Sequence, residues 1–387
     1  MDNPRILLWI SFGLICFLLW DAWNKDYGTR PVTAPATSQS EAASNTPPLP
    51  ANNEVPALSL PTQDESLAES PPVQAAARSQ RIQVSTDNME LEIDLAGGNL
   101  SSVRLLGYPV RKDQPDQLIT LLDGQAVDQY FLQSGLLSSD SPAPDHQATF
   151  SARQKEYQLS DGQDELKVPV IWQSGGITVE KIYTFRRGSY AIDMTQRLTT
   201  ADASWTGAAY VQIKRRQLPR KRSFFDVDSY SFTGPVYYDG EKYEKLNLKD
   251  LQKRPLEDRL AGGWIASIQH HFVTAAVPPT DEQVQYRSRL QNQDVALLSA
   301  VGELKTVAAG QSANFKQTLF VGPKIQKQLK LVGPKLDKTV DYGALAIFSE
   351  PLFWLLQKIH DFVGNWGWAI VLLTVMIKLV FYKLTET

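Results

Sequence analysis

The sequence predicts a mainly β protein, one large β-sandwich flanked by transmembrane α-helices. Three observations carry this. Between about Arg81 and Val321, short alternating or β-branched runs recur between turn signals. Ile6 to Trp20 (ILLWISFGLICFLLW) is continuously apolar. Trp366 to Tyr382 is apolar apart from Thr374 and Lys378, and about 17 residues is near the lower end of what crosses a bilayer.

Residues 1–27 read as an N-terminal signal anchor. Arg5 precedes the apolar run, and Trp20 and Trp23 suit a membrane interface. A cleaved signal needs small residues just after the run, and Asp21-Ala22-Trp23-Asn24-Lys25 fits that poorly, so an uncleaved anchor is the better of the two readings. Cys16, the single cysteine, excludes an internal disulfide and a Cys-based metal site, and reads as an inert thiol in an apolar run. Bulky Leu14 and Ile15 before it argue against a lipoprotein.

Residues 28–77 are rich in Pro, Ala, Ser and Thr. Nine of the 23 prolines fall between Pro31 and Pro72, so this segment cannot bury enough apolar surface to fold and reads as a disordered tether. Residues 78–340 hold the sandwich. Its strand signals are RIQVST, MELEIDL, LKVPVIW, ITVEKIYTF, AIDMTQRLTT, AAYVQI, GWIASI, HFVTAAV, VALLSAV and FKQTLFV. Gly97-Gly98-Asn99, Asp161-Gly162, Gly175-Gly176 and Asp239-Gly240 punctuate them. A short helix is expected at Lys324 to Leu331.

Residues 341–364 carry an amphipathic helix. Leu352, Phe353, Leu355, Leu356, Ile359, Phe362 and Val363 recur at helical spacing, with Gln357, Lys358, His360 and Asp361 opposite. Ser349 is the expected cap, Pro351 falls in the first turn, and Gly364 ends the helix. Residues 365–387 form the second membrane helix, with Trp366 and Trp368 as interface anchors. Thr374, Lys378 and Tyr382 lie four residues apart, on one face. Lys378 has two readings. It either faces a hydrated groove, which an isolated helix in lipid would not need, or snorkels to the far interface, about 18 Å from Trp366 at ~1.5 Å per residue. With a cytoplasmic flank at Lys378 and Lys383, the sandwich is exported and the N-terminus lies inside.

Several function classes are excluded. A net charge of -3 and a pI near 5.9 lack the basic face of a general nucleic-acid binder. Four histidines leave little material for a metal site or nucleophile; His270 and His271 are consecutive on an expected strand and so should point to opposite faces. The basic run Lys214-Arg215-Arg216 to Arg220-Lys221-Arg222 reads as a solvated loop before a lipid or partner patch. No P-loop, dinucleotide fingerprint or nucleophile elbow occurs, so neither catalytic residues nor a metal or cofactor are expected.

The chain resembles the YidC family of membrane protein insertases in its Gram-negative form. The likeness rests on the opening MDNPR, on GGWIASIQHHFVTA from Gly262 to Ala275, and most specifically on LDKTVDYGALAIFSEPLFWLLQKIHDFVGNWGWAIVLLTVMIK from Leu336 to Lys378. It implies a periplasmic β-supersandwich of galactose-mutarotase-like shape in a multi-pass protein of the bacterial inner membrane. Pro351 to Val363 would then lie on the periplasmic membrane surface. Trp366 to Tyr382 would be the first of five helices around a hydrophilic groove. Lys378 stands at the groove's basic position, usually arginine, with Thr374 and Tyr382 on the same wall. The resemblance also implies partners: nascent inner-membrane proteins, the Sec translocon with its accessory subunits, and membrane lipids, with no nucleic acid bound directly.

There are two departures from the family pattern. Lys383 follows Tyr382 where the family usually has proline. The chain also stops at Thr387, so the resemblance implies an incomplete form without the remaining groove helices. Two competing readings are a membrane-tethered periplasmic carbohydrate-binding or mutarotase-like protein, needing a histidine and carboxylate pair, and a purely structural scaffold.

Overall fold

The computed structural model describes residue 56 and residues 80–123, 129–217, 232–291, 294–340 and 346–385; side chains of residues 346–348, 350, 381 and 383–385 lie outside the description. The expected anchor, the tether apart from Pro56, Cys16 and the Arg220–Arg222 half of the basic run all lie outside the described residues.

Two sheets face each other. The larger runs β13 (Glu257–Ala261), β16 (Gln283–Gln291), β17 (Val295–Val301), β10 (Trp205–Arg216), β5 (Phe131–Ser138), β3 (Asn99–Arg111), β2 (Met89–Asp94), β1 (Arg81–Ser85) and β6 (Glu156–Gln158). Off this path, β4 (Gln114–Asp123) pairs with β3 and β18 (Lys305–Val307) with β10. The second sheet runs β12 (Tyr243–Lys245), β11 (Gly234–Tyr238), β14 (Trp264–Ile268), β15 (Phe272–Val277), β19 (Ser312–Pro323), β9 (Ala191–Thr200), β8 (Ile177–Arg186) and β7 (Glu165–Ser174). Among the described pairs only β1 with β6 is parallel. Short helices α1 (Leu248–Lys253) and α2 (Gln326–Val332) and a 3-10 turn at Leu336–Thr339 complete the domain.

Alternation explains the strands at the sandwich surface. In β8 the residues Ile177, Val179, Tyr183 and Phe185 are buried while the intervening side chains are partly exposed. The central strands β14, β15 and β17 are buried on both faces and accordingly read as apolar runs, each interrupted by one small hydroxyl residue, Ser267, Thr274 or Ser299. Trp205, Tyr183 and Phe185 fill the space between the sheets, while Trp264 and Phe320 are buried on the other face of the second sheet, where Trp264 Nε1 donates to the Pro334 carbonyl at 2.8 Å. Each of these side chains is worth about 1.5–3 kcal/mol or more in removed apolar surface.

The expected strands all form, but others arise from sequence that does not look like strand. β3 and β4 make a ribbon that outruns the sheet, so its distal half is exposed and carries Gly107, Pro109 and Lys112 instead of an alternating pattern. β16 (QVQYRSRLQ) is polar on one face, with Val284 and Tyr286 supplying its buried side.

Two corrections concern placement. His270 and His271 are not on a strand: they form the turn between β14 and β15, where their rings meet edge to face at 4.1 Å. A tight reversal turns consecutive side chains toward each other, where a strand would have separated them. The amphipathic helix, α3, runs Ala346–Val363, so Ser349 does not cap it and Pro351 lies inside. The apolar residues Ala346 to Phe348 prolong the helix upstream, with Pro351 unable to donate to the carbonyl four residues back.

Candidate functional site

The site residues from the sequence gather on α3 and on α4 (Trp366–Thr385), two helices that pack against one another. Gly364 ends α3 in the left-handed region at φ 71°, which glycine adopts without strain, and its N–H donates to the His360 carbonyl at 2.7 Å. Asn365 caps α4: its Oδ1 accepts from the Gly367 N–H at 2.8 Å and the Trp368 N–H at 3.2 Å. The turn between the helices is therefore two residues long. Across it the His360 imidazole lies on the Trp366 indole, with ring centroids 3.8 Å apart and planes 17° from parallel.

On α3, Phe353, Leu356 and Ile359 are half-buried, whereas Leu352 and Phe362 are exposed, Phe362 at 93%. Trp366 and Trp368 are exposed at the start of α4. Thr374, Lys378 and Tyr382 are all exposed at helical spacing, so the structure keeps them on one stripe. The Thr374 hydroxyl donates back to the Ile370 carbonyl at 2.8 Å, which satisfies it without any neighbour. Lys378 makes no hydrogen bond or ion pair among the described residues, and Ile370, Val371, Val375, Leu379 and Val380 lie exposed around the same helix. Of the sixteen large apolar side chains exposed among the described residues, thirteen lie between Leu352 and Tyr382. An exposed apolar surface of this extent marks an interaction surface.

The α4 backbone runs 20 residues, but its side chains are described only to Val380 and at Tyr382. Counted that way, no helix among the described residues is long and apolar enough to cross a membrane. Sequence reasoning missed Asn365 and the His360–Trp366 stack. The Asn365-x-x-Trp368 spacing held the capping signal; the stack, bridging six residues, had none.

The sandwich holds a second concentration of polar groups. Lys181 is fully buried, and its Nζ donates to the carbonyls of Gly97 (2.8 Å) and Ser134 (3.0 Å) and to Ser134 Oγ (3.2 Å). Burial pushes its amine down from the usual 10.5 to about 7, with Asp145 pulling the other way. Beside it the Tyr183 hydroxyl donates to the Gly98 carbonyl at 2.6 Å, and Asn99 Nδ2 donates to the His146 carbonyl at 2.9 Å. His146 is buried, with its Nδ1 2.7 Å from the Tyr210 hydroxyl. This cluster joins β8 of one sheet to β5 of the other and to the Gly97-Gly98 turn. All of its side chains are buried, as in a structural tie. Among the described residues, no group of three or more His, Cys, Asp or Glu side chains is placed to hold a metal ion.

Residues 81–355 match the YidC periplasmic domain family. The membrane protein insertase YidC of Thioalkalivibrio sulfidiphilus is 43% identical over 399 aligned positions, covering all of this chain and 70% of that protein. The membrane protein insertase YidC of Methylococcus capsulatus is 38% identical over 390 positions, covering all of this chain and 69% of its own length. Among solved structures, a galactose mutarotase related enzyme from Lactobacillus acidophilus has a TM-score of 0.40 at 8% identity, covering 62% of this chain and 97% of that one. The GH36 alpha-galactosidase AgaB of Geobacillus stearothermophilus has a TM-score of 0.36 at 9% identity, covering 65% of this chain and 41% of its own.

Proposed function

The chain belongs to the membrane protein insertase YidC family, and on that premise we propose that its α3–α4 unit is the part that meets lipid and substrate. It assists the insertion and folding of nascent inner-membrane proteins, alone or beside the Sec translocon and its accessory subunits. The supporting observation is the concentration of exposed apolar side chains on α3 and α4 with one stripe of Thr374, Lys378 and Tyr382 among them. Lipid takes up the apolar surface. The stripe takes water, and the Lys378 ammonium within it attracts acidic, still-hydrated segments of a substrate on their way across. Twenty residues of α4 rise about 30 Å, comparable to the hydrocarbon core.

In this reading α3 lies at the periplasmic surface, α4 crosses toward the cytoplasm, and the sandwich stands in the periplasm with a cytoplasmic N-terminus. The segments divide at 1–27, 28–77, 78–340, 341–364 and 365–387. The carbohydrate-binding or mutarotase-like alternative is not favoured, because the curated relatives bear the insertase name over the whole length of the chain. The chain works without a catalytic centre of its own.

Replacing Lys378 by Ala and by Arg tests the reading. Insertion of a small membrane protein with an acidic translocated segment, measured by protease protection in proteoliposomes, should fall with Lys378→Ala and recover with Lys378→Arg. Lysine keeps the charge but lacks arginine's fork of donors, so recovery should be full if charge alone matters. Indifference to both substitutions would reduce Lys378 to a snorkelling anchor.

A further inference from the structure

The short corner between α3 and α4 carries four separate constraints. Gly364 stops the first helix, Asn365 starts the second, and His360 stacks on Trp366 between them. One turn further on, Ala369 is the only fully buried side chain described in α4, a small residue that lets the two helices approach closely. The cap and the left-handed glycine fix where each helix ends, but two backbone residues leave the angle between the helices soft. The stack is a contact that spans the corner itself, from the last turn of α3 to the first residue of α4. His360 Nδ1 lies 3.9 Å from Asp361 Oδ1, also at the end of α3.

We propose that His360 is a positioning residue: its stack on Trp366 holds the amphipathic helix and the membrane helix at one angle, and thereby sets the depth of Lys378 in the bilayer. The inference rests on the reading of α3 as a surface helix and α4 as a span. Lys378 lies twelve residues beyond Trp366, about 18 Å along a helix, so its depth follows from where Trp366 is held and how α4 is tilted. With α3 anchored by its apolar face, a fixed corner leaves α4 little room to slide. With a loose corner α4 can tilt or shift, and Lys378 can snorkel out of the stripe.

The test uses the full chain in lipid vesicles with Cys16→Ser as background. Spin labels at Lys358→Cys and Leu372→Cys report the angle through their distance distribution, and a label at Leu379→Cys reports depth through contact with a water-soluble relaxation agent. A narrow distribution is expected, broadening with His360→Ala and narrowing again with His360→Phe, which restores an aromatic face. An aromatic pair biases the closed corner by roughly 2- to 12-fold, equal to about 0.5–1.5 kcal/mol. The Leu379 label should become more water-accessible in His360→Ala. An unchanged distribution in His360→Ala overturns the proposal, as does a broadened one with unchanged depth. Neither readout uses insertion activity, so a failure of the functional reading shows separately, as indifference of insertion to Lys378→Ala. The thermal transition of the sandwich should not differ between the His360 variants; a drop in it with no change in distance would overturn the positioning role.

Discussion

Two lysines in this chain meet an apolar environment in opposite ways. Lys181 in the sandwich is fully buried and its ammonium is surrounded by three protein acceptors. Lys378 in α4 stands among exposed Val, Leu and Ile side chains with no protein partner among the described residues. The sandwich replaces water with fixed carbonyls, whereas the helix leaves the charge to be solvated by something outside itself. A buried cation with satisfied donors is a structural tie, costly to break and useless to a ligand. An unsatisfied cation on an apolar helix is a functional position by default. Substituting each lysine separates the two roles.

The largest expected effect is on Lys181. Lys181→Ala leaves the Gly97 and Ser134 carbonyls without their donor and opens a cavity between β8 and β5, so the full chain should lose about 3–5 kcal/mol. Urea denaturation followed by the tryptophan signal reads this directly. Lys181→Met, which fills the volume without the charge, should recover part of the loss; full recovery would show that the charge itself adds nothing.

Next in size is a pH effect confined to the sandwich. Because the folded amine of Lys181 titrates near 7 and the unfolded one near 10.5, the unfolded chain binds a proton that the folded chain lacks between those values. Stability contributed by this group therefore rises with pH from about 7 to about 10.5, by at most about 1.4 kcal/mol per pH unit. Measured against Lys181→Met, the wild-type chain should gain stability as pH rises through this window. A flat difference would mean that the three acceptors hold the ammonium charged despite burial.

A smaller loss is expected at the turn that supplies one of those acceptors. Gly97 has φ 79°, and an added Cβ would stand 2.0 Å from the His146 carbonyl oxygen. Gly97→Ala should therefore destabilise the sandwich by more than about 1 kcal/mol and weaken the pH effect of Lys181 as its carbonyl partner shifts. Thermal melts at two pH values check both.

Much of this contrast could be read in the sequence. β9 and β17 coincide with the runs AIDMTQRLTT and VALLSAV, because one alternates and the other is apolar but for Ser299 between clear turns. The stripe on α4 follows from spacing alone, and Thr374, Lys378 and Tyr382 are all exposed on that helix. The run ITVEKIYTF already places Lys181 in register with Ile177, Val179, Tyr183 and Phe185, a charge where alternation requires an apolar side chain. What it hides is the partner set, since Gly97 and Ser134 are distant in sequence and act through backbone oxygens that no residue type advertises. The same reason conceals the His360–Trp366 stack, which depends on how a two-residue turn directs two rings. Strand β16 and the distal β3–β4 ribbon were illegible because their exposed faces are polar and their pairing is set by neighbours.

The smallest expected effect is the most discriminating. Lys378→Met removes a charge that has no partner among the described residues, so the unfolding transition of the sandwich should stay within about 0.5 kcal/mol of wild type. Insertion should fall all the same, because the stripe would lose its only cation. A substitution that is silent in stability and costly in activity is what an unsatisfied charge on an apolar helix predicts. If Lys378→Met instead lowers sandwich stability while insertion persists, the two lysines differ only in exposure. The stripe would then be part of the scaffold.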